Sequence, residues 1–348
     1  MERRLEGSDL DTRQQDILHC VVENYLRTGK EVGSALVSKT GDIKLSPASI
    51  RNIMNELEKK GYLSHYHTSG GRVPTMKGLK HYTNYLLKYM EPTREERAFI
   101  KKMLIPYRED IPQMISETPR VLSTLSNYLS VALIPDLEET PLVRIEIVKL
   151  NASRSMVILI AESGYITYIP IKVKQTLTQK ELNEVAGYFN TKFSGMSINR
   201  AKKLLVEELL RDSALAGKII EKNLNLIDTN LLMEDRGHEL IMEGEFNILL
   251  QPDFASIEKL RKLLRALNEK TTLVQLLDEV IKSGRLLVLF GSDYNVEGLS
   301  DCAIVAAPYH SSRFPPGTIG VVGPVRMDYS RTVPLIEYTS NLISEWLM

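Results

Sequence analysis

The chain of 348 residues carries 44 lysines and arginines against 44 aspartates and glutamates, a formal net charge of zero. That length predicts two or three domains, and the balanced charge means that a surface for a polyanion has to be local rather than general. No stretch approaches the roughly 20 apolar residues of a membrane span, no charged-then-apolar leader opens the chain, and Cys20 and Cys302 fit no metal spacing; the expectation is a reduced, cytoplasmic protein with both thiols buried.

The first predicted helix starts at a capping box of Thr12 and Gln15 and ends at Gly29. Its buried stripe is Ile17, Leu18, Val21, Val22, Tyr25 and Leu26. Ser34 caps a second, short helix over 35–40 that stops at Gly41. Ser46 caps a third, with Pro47 at the first helical position, where its missing N–H costs nothing. Ile50, Ile53, Met54 and Leu57 fall on one face and Gly61 ends the helix. The opposite face carries Ala48, Asn52, Asn55 and Lys59, flanked by Ser49 and Arg51. Short polar groups with cations let a helix approach a groove floor; asparagine can bond an adenine edge, and arginine a guanine edge or a phosphate.

Tyr62 and Leu63 begin a strand, Ser69-Gly70-Gly71 permits a tight reversal, and Arg72 is expected to project from the tip region toward a minor groove. His65 and His67 share a strand face, but two ligands do not make a metal site. Helix, helix, helix and hairpin in this order predict a winged helix-turn-helix, followed by a further amphipathic helix over 76–90. From residue 39 to residue 88 there are nine cations (Lys39, Lys44, Arg51, Lys59, Lys60, Arg72, Lys77, Lys80 and Lys88) and three acids (Asp42, Glu56 and Glu58), a local excess of +6. That is the electrostatic footprint of a phosphate-binding surface.

After residue 90 the pattern changes. Thr93, with Glu95 and Glu96 in the first turn, opens a helix running to about Pro106, and another spans about 110–131. Val143–Leu150, Met156–Ala161 and Tyr165–Val173 read as strands, as do Arg285–Phe290, Cys302–Ala307 and Thr318–Gly323. Helical patterns fall at 179–190, 199–211, 214–223 and 255–267, and 330–347 closes the chain as a helix. The two strand groups are expected to form one α+β domain interrupted by a mostly helical insert near 180–265, or else two consecutive domains. Phosphate-loop, GxGxxG, HExxH and CxxC motifs do not occur, and no catalytic residue, metal or cofactor is assigned.

The stretch SPASIRNIMNELEKKGYL followed by HTSGGRVPT resembles the signature of the bacterial heat-inducible transcription repressor family HrcA. The blocks GEFNILLQPDF (244–254), GSDYNVEGLSDCAIVAAPY (291–309) and GVVGPVRMDYSRTVPLIEYTSNLISEWL (320–347) are similar to later blocks of that family. The resemblance implies an α+β multidomain protein: a winged helix at 1–92, a GAF-like domain in two parts at 93–178 and 268–348, and an inserted dimerisation domain at 179–267. It further implies a homodimer that represses chaperone genes at an inverted-repeat operator (CIRCE) on double-stranded DNA, released on heat stress and modulated by a GroEL-type chaperonin. Base-edge contact then falls to Arg51, Asn52 and Asn55, with Ala48 and Ser49 allowing close approach. Ser34, Ser46, Lys59, Thr68, Ser69 and Arg72 are candidates for phosphate or minor-groove contact. Ser69-Gly70-Gly71-Arg72 departs from the usual Ser-Ala-Gly-Arg wing, and Ala35 stands where lysine is common. The alternative is a regulator whose GAF-like domain senses a small molecule.

Overall fold

The computed structural model describes residues 9–40, 43–65, 71–152, 154–172, 178–210, 239–294, 296–312 and 314–348. The N-terminal unit contains α1 (Thr12–Thr28), α2 (Ser34–Thr40) and α3 (Pro47–Lys59), then a hairpin of β1 (Leu63–Ser64) and β2 (Val73–Pro74). A bridge between Val32 and Arg72 adds a third backbone segment to the hairpin. This is the winged-helix order read from the sequence. The cap of α1 lies one residue earlier than expected: Asp11 and Gln14, not Thr12 and Gln15, form the capping box. Both pairs have the right spacing, and aspartate is the stronger cap. Ile17, Leu18, Val21 and Val22 are fully buried against Ile50 and Leu57 of α3 in one cluster, and each such side chain contributes about 1.5–3 kcal/mol.

The next helix, α4 (Met76–His81), does not run to residue 90. It loosens into a π-type turn over Tyr82–Leu86, and the backbone becomes extended at Leu87. Gly78 is required where α4 crosses the hairpin, because a Cβ there would strike the carbonyl oxygen of Tyr62.

Then follow α5 (Arg94–Leu104), opened by the Thr93–Glu96 capping box, and α6 (Ile111–Ser126). The sequence pattern predicts α6 to about residue 131. Instead Asn127, at φ 57, ends it, and β3 (Leu129–Ile134) begins at once. All six residues of β3 are buried, and a fully buried strand lacks the alternation that separates strand from helix.

Beyond β3 come β4 (Leu142–Lys149), β5 (Arg154–Ala161) and β6 (Ile166–Lys172), α7 (Gln179–Phe193) and α8 (Ile198–Leu210). The described chain resumes with β7 (Glu239–Glu243), α9 (Glu245–Leu249), α10 (Ile257–Asn268) and α11 (Lys270–Ser283). It closes with β8 (Leu287–Phe290), β9 (Cys302–Tyr309), β10 (Gly317–Pro324) and α12 (Tyr329–Leu347). The expected helix at 214–223 lies outside the described residues, and α11 had no counterpart in the sequence reading.

The strand pairing corrects the expected domain plan. One sheet is five-stranded and antiparallel, in the order β7-β3-β10-β9-β8; β4-β5-β6 form a separate three-stranded meander. Strands 142–172 therefore do not join β8, β9 and β10. The excursion from the central sheet begins after β3 and returns at β7, so it is longer and starts earlier than 179–267. Helix α10, placed in the insert by the sequence reading, packs on the central sheet instead. Alternation in a sequence shows which residues face a core, but not which strand lies alongside.

Helices α6 and α12 cover one face of the central sheet, and α10 and α11 cover the other. With both faces covered, its strands read as continuous apolar runs. The meander has its own core, in which Ile145, Ile147, Val157, Leu159, Ile169 and Ile171 pack on Leu182, Phe189 and Phe193 of α7 and on Ala201 and Leu205 of α8. The helix-and-wing unit is docked to the central domain by a Lys80–Asp293 ion pair at 2.7 Å and by the Met90 N–H donating to the Ser330 carbonyl at 2.9 Å.

Candidate nucleic-acid interface

Helix α3 turns Ile50, Met54 and Leu57 inward, which forces the other face outward. Ala48, Arg51, Asn52 and Lys59 are exposed, and Ser49 and Asn55 are half-buried. All six predicted groove-side residues thus lie on the outward side of α3, four exposed and two half-buried. At its N-terminus, exposed Ser46 accepts the Ser49 N–H at 3.2 Å, and the two hydroxyls lie 2.9 Å apart. The Ser46 hydroxyl is already engaged in capping. Ser34 is half-buried at the start of α2. Thr68 and Ser69 lie outside the described residues.

Arg72 does not project from the wing. It is only 6% exposed and folds back on α3. Its Nη2 donates to Asn55 Oδ1 at 2.6 Å and lies 3.0 Å from Glu58 Oε2. The backbone of Arg72 exchanges both hydrogen bonds with Val32, at 2.9 and 3.0 Å. Glu58, on the next turn of α3, also bonds Nδ1 of His65 through its other oxygen. In the sequence Glu58 stands out only as an acid; its spacing of three from Asn55 is the local signal that the two share a side of the helix.

The nine cations of the basic stretch divide by structure. Lys60 donates to the Asp9 carbonyl at 2.6 Å and to Gln14 at 2.9 Å. Lys77 donates to the Lys60 carbonyl at 2.9 Å and lies over the Tyr62 ring. Lys80 and Arg72 are in ion pairs. Lys39, Lys44, Arg51, Lys59 and Lys88 are exposed and bond to no described residue. Four of these five, all but Lys88, lie around α2 and α3 and are the cations beside the groove-side face.

Behind this surface the unit is stiffened by buried aromatics. Burial, with a hydrogen bond to Asp9, pushes the Tyr62 phenol up to about 12. Burial holds His19 and His81 below the ordinary histidine value. Among the described residues, no group of three histidines, cysteines or carboxylates could hold a metal ion, and no helix is long and apolar enough to cross a membrane. A cleft of about 580 Å³ lies on the central domain, bordered by Phe254, Lys259, Lys262, Ser292, Gly298 and Asp301. Its charges are largely matched, with Lys259 2.8 Å from Asp301 and Lys262 3.1 Å from Glu258.

A helix-and-wing unit presenting short polar groups and free cations, carried on a larger α+β body, defines the class of DNA-binding transcription regulators. Comparison with known proteins agrees. The family model described as "HrcA protein C terminal domain" matches residues 112–333. The heat-inducible transcription repressor HrcA of Geobacter sulfurreducens is 34% identical over 340 residues, covering 98% of this chain and 99% of its own. That of Syntrophobacter fumaroxidans is 31% identical over 341 residues, covering 98% of each. A crystal structure described as a hypothetical protein superposes with a TM-score of 0.61 at 21% identity, covering 97% of this chain and 99% of its own, and supports the fold alone. The chain belongs to the HrcA family of heat-inducible transcription repressors.

Proposed function

We propose that this repressor acts in the cytoplasm as a homodimer on an inverted-repeat operator, turning off chaperone genes until heat stress releases it, with a GroEL-type chaperonin modulating its active form. The observation that carries the reading is the free face of α3. Arg51 and Asn52 are exposed with no bond to a described residue, beside cations that are likewise uncommitted. An inverted repeat demands a two-fold protein.

The meander offers the surface for that two-fold. Its inner face packs on α7 and α8, while its outer face sets Ile158 between Glu146 and Tyr168, Met156 between Val148 and Pro170, and Ile160 between Arg144 and Ile166. Tyr168 is 63% exposed and Ile166 59%. Contiguous apolar surface of this kind marks an interaction site. In this reading the central domain is the GAF-like domain and the excursion between β3 and β7 is the dimerising insert. The reading is tested by gel shift of the full chain on inverted-repeat and random DNA, with and without chaperonin. Specific retardation that strengthens with chaperonin is expected; equal binding to both DNAs under every condition contradicts it.

A second reading, a regulator that senses a small molecule, draws on the cleft beside Ser292, whose hydroxyl is buried without a partner among the described residues. A metabolite thermal-shift screen separates the two, since saturable stabilisation by one compound favours sensing.

A further inference from the structure

Arg72 ends a short polar chain that runs from the wing to the reading face of α3. Its guanidinium meets Asn55 at 2.6 Å and Glu58 at 3.0 Å, and Glu58 in turn holds His65. A guanidinium has only donors, so the atom of Asn55 that faces it is the carbonyl oxygen. The amide cannot turn over without setting its own NH2 against those donors. Nδ2 is therefore left pointing elsewhere, and it bonds to no described residue. Asn55 stands one turn beyond Arg51 and Asn52 on the outward side of α3.

We propose that Arg72 is a positioning residue for sequence readout. By fixing the amide of Asn55 it makes the Nδ2 donor the group offered to the major groove, and the base opposite must present an acceptor. Purines present N7, guanine adds O6, and thymine presents O4; cytosine presents only its N4 donor. Cytosine is thereby excluded at one position of each half-site. Arg72 sets specificity without touching DNA, and Glu58 keeps the guanidinium against the helix rather than at a phosphate. The inference rests on α3 being the helix that enters the groove.

The test uses the full chain and operators carrying each base in turn along one half-site, at several salt concentrations. Wild type is expected to disfavour cytosine about tenfold at one position. Arg72→Met frees the amide to present either end, so that exclusion disappears at that position while the salt slope is unchanged. Asn55→Asp retains a partner for Arg72 but offers the groove only acceptors, so cytosine becomes acceptable there. A uniform loss of affinity in Arg72→Met, with the slope reduced by about one charge, would put Arg72 on a phosphate and overturn the proposal. So would an unchanged base profile. Should Arg72→Met fail to fold, Asn55→Asp decides alone: continued exclusion of cytosine overturns the proposal. Wild type that binds inverted-repeat and random DNA equally overturns the reading of α3 itself, a result distinct from all of these.

Discussion

The Nζ of Lys202 lies 2.8 and 3.0 Å from the two carboxylate oxygens of Glu138, and each residue is only 7% exposed. Glu138 belongs to the single turn Leu137–Glu139, where the chain leaves the central sheet, and Lys202 to α8, which packs on the meander. The pair therefore closes the excursion between β3 and β7 onto its own point of entry. The Tyr165 hydroxyl reaches the same carboxylate at 3.4 Å.

Removing one partner leaves a buried charge uncompensated, which costs about 3–5 kcal/mol. Lys202→Met is expected to lower stability by that amount in chemical denaturation. Lys202→Met combined with Glu138→Leu is expected to recover most of it, because desolvation of both charges is then avoided. A double variant as unstable as the single one would show that shape, not charge, sets the cost.

The outer face of the meander gives the second prediction. Ile158 is its central residue, flanked by Glu146 and Tyr168 on the neighbouring strands. Its side chain points away from the meander's own core, so Ile158→Glu is expected to leave the fold intact. In the proposed dimer, however, it would bury a carboxylate without a partner, at a cost of several kcal/mol. Sedimentation at equilibrium is expected to show a monomer, with affinity for the inverted repeat reduced to the level of a half-site. A variant that remains dimeric would move the two-fold contact off this face.

How far the sequence foretold these features depends on whether their determinants are local. Ser46, Pro47 and Gly61 bound α3 within one turn of its ends, and Ile50, Met54 and Leu57 choose its buried side, so both the helix and its outward residues were legible. The docking of Arg72 on Asn55 was not, since it joins positions 17 residues apart across the wing; an arginine after a glycine turn reads equally well as a free cation. Strand partnership failed for the same reason. The β4, β5 and β6 strands were found, yet β3 was absorbed into α6 because Leu129 continues the helical period of Leu122 and Leu125, and only Asn127 breaks it. The β7 strand, returning at residue 239 to pair with β3, carries no local signal of that partner.

The third prediction concerns Asn52 and Lys59. Both are exposed on α3 and neither bonds to a described residue, so changing either leaves no buried group unsatisfied. Asn52→Ala is expected to lower operator affinity by about 1–3 kcal/mol with little effect on random DNA. Lys59→Ala is expected to weaken both and to reduce the salt slope by about one charge. Titrations at several salt concentrations distinguish a base contact from a phosphate contact, and an equal loss on both DNAs would exclude Asn52 from base reading.

Acid sensitivity of the helix-and-wing unit follows from half-buried His19 and buried His81. His19 sits 5.6 Å from the Tyr82 ring, with Glu23, Asp16 and Lys88 as charged neighbours. His81 lies 5.2 Å from Tyr62 and 5.0 Å from Tyr85, with Asp9 and Lys77 nearby. Burial strips water from the charged ring and lowers both pKa values, outweighing the carboxylates that act the other way. The unfolded chain, with histidines near 6.5, therefore binds more protons than the folded one just below that pH, and stability there rises with pH. The contribution is fully present above about pH 6.5 and is lost as pH falls toward the lowered folded values. Thermal melts of wild type are expected to decline through this range, well above the ordinary carboxylate range. His19→Gln and His81→Gln are expected to flatten that decline, whatever each does to stability at neutral pH. An unaltered slope in the double variant would assign the acid response to other groups.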